Sequence, residues 1–170
     1  MAIKLILLSM VSISMGACVT SYAQPKESDD FATITFTKTP QPDADSRGDL
    51  QEYGVTNGGG CKQYQRLALM GLLSKNTKSS RLVVGEPITI LATYQFQENL
   101  GLSMTESTPV ANVSLERCRS SVTFTPEAGT DYDMTMTVDG AACAMKFNDA
   151  ATGGLPERAI IDPNVTCKVD

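Results

Sequence analysis

The stretch VTFTPEAGTDYDMTMTVDG, residues 122–140, decides the fold class. In its second half Tyr132, Met134, Met136 and Val138 alternate with Asp131, Asp133, Thr135 and Thr137. A period of two puts the first set on one face of an extended strand and the second set on the other. A second strand precedes it, running from about Cys118 to Thr125. Between them Pro126-Glu127-Ala128-Gly129 reads as a turn, because Pro presets one backbone angle and Gly reaches positive φ at no steric cost. Asp139-Gly140 reverses the chain again.

The same period recurs outward from this segment. In FATITFTKT, residues 31–39, Ala32, Ile34 and Phe36 oppose Thr33, Thr35 and Thr37. In EPITILATYQFQ, residues 86–97, Ile88, Ile90, Ala92, Tyr94 and Phe96 form the apolar face. Such strands bury one face and wet the other, and threonine suits the pleated surface. Turn signals separate them at Asn57-Gly58-Gly59-Gly60, at Gly85-Glu86-Pro87 and at Gly153-Gly154-Leu155-Pro156, while the polar residues 74–80 read as a connection. Residues 61–73, CKQYQRLALMGLL, are ambiguous: Tyr64, Leu67, Ala68 and Leu72 have helical spacing, yet the run also alternates. Gly71 would weaken a helix, so a strand is the expected state. The expectation is an all-β chain: an antiparallel β-sandwich of about seven to eight strands, one domain over residues 31–170.

The N-terminus reads as a targeting segment. One lysine, Lys4, precedes an apolar run too short to span a membrane, which needs about 20 apolar residues. Two cleavage sites follow. Ser21-Tyr22-Ala23 presents small residues to an ordinary signal peptidase. Met15-Gly16-Ala17-Cys18 resembles the lipobox of bacterial lipoproteins, with Met in place of the commoner Leu. The lipobox accounts for the position of Cys18, and we favour it. Residues 1–17 are then a signal peptide, Cys18 carries lipid, and residues 18–30 form anchor and polar tether. By the sorting rule of such lipoproteins, Val19 implies the outer membrane, with the domain facing the periplasm. Cleavage after Ala23 would instead release a soluble periplasmic or secreted protein.

Composition excludes several functions. Histidine is absent, which removes Ser-His-Asp triads, Cys-His dyads and histidine metal sites. A formal net charge of −5 without a basic cluster argues against nucleic acid. Tryptophan, the commonest sugar-stacking platform, is also absent. Met134, Met136 and Met145 could offer thioethers to a soft metal, but their alternation with polar residues reads as core filling. Glu127, Asp131, Asp133 and Asp139 lack calcium-loop spacing and read as a solvated face. The loop TNGGGCK fails the phosphate-loop pattern, since Gln63 stands where Ser or Thr is needed. The sequons at Asn112 and Asn164 would be accidental in a bacterial host. Neither cofactor nor metal is expected.

Residues 122–138 resemble the E–F corner of immunoglobulin-like sandwiches, where a Pro–Gly turn is followed by a tyrosine that bonds the corner backbone. The resemblance implies structural roles for Pro126, Gly129 and Tyr132. The run from Arg117 to Asp149 also resembles segments of small proteobacterial envelope lipoproteins of unassigned function, in the order Cys, strand, Pro-x-x-Gly-x-x-Tyr, strand, Cys. The corner sends the strand at Tyr132 into the opposite sheet. Cys118 and Cys143 then begin their strands at one end of the sandwich, facing across the core. That implies a Cys118–Cys143 disulfide and leaves Cys61 to pair with Cys167.

The function these features suggest is a lipid-anchored interaction or structural module of the cell envelope, not an enzyme. Its partners would be other envelope proteins and, through the lipid, the membrane. An alternative is a small-molecule or glycan binder using Tyr53, Tyr64 or Tyr94 and the loops. A third is a hydrolase using carboxylates alone, which would need two of them facing each other in a cleft.

Overall fold

A computed structural model describes residues 20–39, 50–56, 63–71, 73–105, 108–139, 142–163 and 165, with residues 96–105, 108–117, 138–139 and 142 described at the level of backbone. Among these residues the chain forms ten strands and no helix. They are β1 (Thr20–Ser21), β2 (Phe31–Lys38), β3 (Leu50–Thr56), β4 (Gln65–Met70), β5 (Thr77–Val83), β6 (Ile88–Thr105), β7 (Thr108–Phe124), β8 (Asp131–Asp139), β9 (Ala142–Asp149) and β10 (Ile160–Asp162). One sheet has six strands in the order β1-β4-β3-β6-β7-β10, the other four in the order β5-β2-β8-β9. The ambiguous segment is a strand, β4.

One core joins the two sheets. Tyr53, Met70, Ile90, Tyr94, Val122 and Phe124 from the larger sheet pack with Ile34, Phe36, Leu82, Tyr132, Met134, Met136 and Phe147 from the smaller. The alternation predicts these inward positions because a pleated strand shows successive side chains to opposite faces. Met134 and Met136 are fully buried within this core, so they fill space between the sheets.

Two expectations need correction. The described residues form ten strands rather than seven or eight. β1 and β10 are two and three residues long, too short to carry a period. β5 begins inside the polar stretch read as a connection, and its first three residues are exposed. The sheets are also not purely antiparallel: β1 runs parallel to β4, and β2 parallel to β8. The corner causes the second of these. Gly129, with φ of 73°, donates its N–H to Phe31 O at 2.9 Å, and Thr33 N–H bonds Thr130 O at 3.0 Å. The turn thus delivers the chain to the end of the sandwich where β2 starts, and β8 must leave in the same direction.

Tyr132 is buried at this corner, and its hydroxyl accepts a hydrogen bond from Glu127 N–H at 3.1 Å. Its ring meets Phe124 edge-on at 5.0 Å and stacks on Phe147 at 5.6 Å. Replacing Tyr132 with Phe keeps the rings and leaves the Glu127 amide without this acceptor. We expect it to cost about 0.5–1.5 kcal/mol in urea unfolding. Unchanged stability would show that this bond contributes nothing.

β6 and β7 are the longest strands, and they outrun their sheet. β3 pairs with β6 only from Thr89 to Gln95, and β10 pairs with β7 only from Ser121 to Thr123. Beyond these points, among the described residues, 96–105 and 108–116 pair with each other alone, with a bulge between Asn99 and Leu102. At about 3.4 Å per residue this arm extends roughly 30 Å past the sheet.

Candidate functional site

The features that sequence reading missed lie in residues 20–30. The sequence suggests a free polar tether there, and the structure docks the segment on the domain. Thr20 and Ser21 pair with Gln65 and Arg66 of β4, and Tyr22 N–H bonds Arg66 O at 2.9 Å. Tyr22 is half-buried against the core, and its hydroxyl accepts from Val83 N–H at 3.0 Å. Gln24 Oε1 accepts from Arg81 N–H at 3.2 Å, and Arg81 pairs with Glu27 at 2.9 Å while lying over the Phe31 ring.

This strap closes a seam. On one side the smaller sheet ends at β5 and the larger at β4 with only the two-residue β1 beyond it, and an open strand edge invites pairing with other chains. The strap covers the start of β4 and the N–H groups of Arg81 and Val83 on β5. β5 in turn bonds the remaining carbonyls of β4: Ser80 Oγ donates to Leu67 O at 3.3 Å, and Lys78 Nζ donates to Leu69 O. The signal for a strand was present in Val19-Thr20-Ser21-Tyr22, which is rich in β-branched and aromatic residues.

The three tyrosines proposed for ligand stacking do not converge. Tyr53 and Tyr94 are fully buried in the core. The Tyr53 hydroxyl donates to Gln51 Oε1 at 3.0 Å, and burial pushes its phenol well above the ordinary range, so it remains a donor. Tyr64 lies on the opposite face of the larger sheet, with its ring against Gly54. A Cβ at that position would collide with the ring. Burial and the Glu52 carboxylate raise the Tyr64 phenol, opposed by Arg66 and Arg119. Glu52 itself pairs with Arg66 at 2.7 Å.

Of the acidic residues near the corner, Glu127 and Asp131 are exposed and Asp133 is intermediate; the Asp139 side chain lies outside the described residues. Asp131 shares a depression of about 390 Å³ with Gly129, Thr130, Asp149, Ala150 and Ala151. The Asp149 carboxylate there accepts from Ala151 N–H at 2.8 Å and Thr152 N–H at 2.9 Å. It is engaged in holding its own turn. Among the described residues no group of three or more acidic or cysteine side chains could hold a metal ion.

Cys118 on β7 and Cys143 on β9 form a disulfide that joins the two sheets, with Cα atoms 5.7 Å apart. Cys18, Cys61 and Cys167 lie outside the described residues, as do residues 57–60 and Asn164. Comparison with protein-family models, with curated proteins and with solved structures finds no significant match to this chain.

Proposed function

We propose that the protein is a lipid-anchored module of the bacterial cell envelope, held through Cys18 on the periplasmic face of the outer membrane, and that it docks other envelope proteins without catalysis. The docked strap is the observation that carries this reading. The two candidate cleavage sites differ by the residues 18–23, and Thr20, Ser21 and Tyr22 among them belong to the sandwich. Cleavage after Ala23 would remove a strand and the tyrosine that covers the β5 edge. Cleavage before Cys18 keeps both. It also leaves only Val19 between the lipid-bearing cysteine and β1, so the domain would sit directly on the membrane.

The corner supports placing the sandwich among immunoglobulin-like folds, with the parallel β2–β8 pair as a departure from the plain antiparallel pattern. We also propose that Cys61 and Cys167 form a second disulfide. The binder alternative has lost two of its three aromatic residues to the core, and in the depression that holds Asp131 and Asp149 the Asp149 carboxylate is engaged in its own turn.

The test is fractionation of cells that make the full chain. Wild type should partition with the outer membrane and yield a diacylated N-terminal peptide, and Cys18→Ala should abolish that lipid and release the protein. A version starting at Gln24 should also be less stable than one starting at Val19, by about 1–2 kcal/mol, because it lacks the Tyr22 ring and its hydrogen bond to β5. Wild-type protein recovered soluble with Gln24 at its N-terminus would overturn the reading.

A further inference from the structure

We propose that the β6–β7 arm, residues 96–105 and 108–116, is a self-association element that pairs edge to edge with the same arm of a second copy of this chain. The inference uses the anchored orientation proposed above, and its test reads the arm independently of the anchor.

The backbone is the first ground. Among the described residues, no strand pairs with the outer edge of either half of the arm. A two-stranded ribbon is marginal in water and gains stability from a third strand. The treatment of the other edges is the second ground. At the β4–β5 seam the chain covers its open edges with the strap and with Lys78. On the arm, residues 97–115 contain no lysine or arginine; the guards against edge pairing there are Pro109, Glu98, Glu106 and the single bulge. The same residues do contain Leu100, Leu102, Met104, Val110, Val113 and Leu115.

Position and charge select the occupant. Thr20 is level with Gln65, Val55, Ile90 and Val122, and β1 runs from there toward the arm. The N-terminal end of β1, Thr20, therefore faces the end of the sandwich opposite the arm. Cys18 is two residues earlier, a reach of about 7 Å. The arm thus points away from the anchoring membrane, which puts that membrane out of its range. A segment without basic residues does not hold anionic polymers. Neighbouring anchored copies, by contrast, share one orientation and hold their arms at one height. In each copy β6 rises from the sheet and β7 descends, so the β6 edge of one arm meets the β7 edge of the next antiparallel.

The experiment places a benzoyl-phenylalanine photocrosslinker at Ser103 or at Ser114 of the full chain. Two copies with different tags are produced in one bacterial cell and irradiated. We expect an adduct of twice the monomer mass that carries both tags. It should fall at least tenfold when one copy keeps the crosslinker and the other copy, which carries none, has residues 97–115 replaced by Asn-Gly or, less disruptively, carries Ser103→Lys with Ser114→Lys. A crosslinker at Thr77, on the guarded seam, should give little of it. The proposal is overturned by no adduct, by adducts that carry one tag only, or by equal yield from Thr77. Membrane fractionation of the same cells reports the anchor separately.

Discussion

Replacing both Cys118 and Cys143 with alanine should lower the unfolding free energy by about 3.5 kcal/mol, the loop-entropy value for a bridge between residues 25 apart. The position of the bridge explains why the loss should be felt in full. β7 and β9 belong to different sheets and share no backbone ladder. The chain ties β7 to β8 at the corner, at the end of the sandwich where β2 begins. Cys118 and Cys143 tie β7 to β9 at the other end, level with Tyr94 on β6 and Val138 on β8. Without the bridge the sheets are held there by packing alone. With both proteins in reductant, urea unfolding of the double variant should match that of wild type; without reductant its m-value should exceed that of wild type because the unfolded chain is less restrained. Equal stability with and without the bridge would contradict this account.

How far the sequence discloses this structure depends on whether a residue's partner is local. β2, β6 and β8 are legible because each carries its own period, and Tyr94 shows the value of that signal. Its place in the Ile88–Ile90–Ala92 series already marks it as core, and the structure buries it there. That cue outweighs the case for ligand stacking. β5 is obscured because it is an outer strand whose Thr77, Lys78 and Ser79 face water. The arm is obscured because a bulge between Asn99 and Leu102 shifts its alternation midway. The strap is the hardest case. Tyr22 and Gln24 acquire their roles from Val83 and Arg81, which lie 61 and 57 residues further along the chain. No window of sequence contains both partners. The corner was legible for the opposite reason, since Glu127 and Tyr132 are five residues apart.

The core should prove most sensitive at Phe36, where Phe36→Ala is expected to cost about 3–5 kcal/mol. Phe36 is fully buried on β2, in the interior of the smaller sheet, and it stacks on Tyr53 of the larger sheet with ring centroids 4.4 Å apart and planes 28° apart. It is therefore a direct contact between the two layers. Truncation removes one ring of that pair and leaves a void the rest of the fold can only partly close. Met134, its cross-strand neighbour, is flexible enough to collapse into some of the space, which favours the lower half of the range. Tyr53 has less freedom, because its hydroxyl is tied to Gln51, itself fully buried. The control Phe36→Leu retains most of the volume and should cost less than half as much. A double-mutant cycle of Phe36→Ala with Tyr53→Ala should return a coupling of about 0.5–1.5 kcal/mol for the stacked pair. A loss below about 1 kcal/mol for Phe36→Ala, with no coupling to Tyr53, would mean that the two sheets do not meet at these rings.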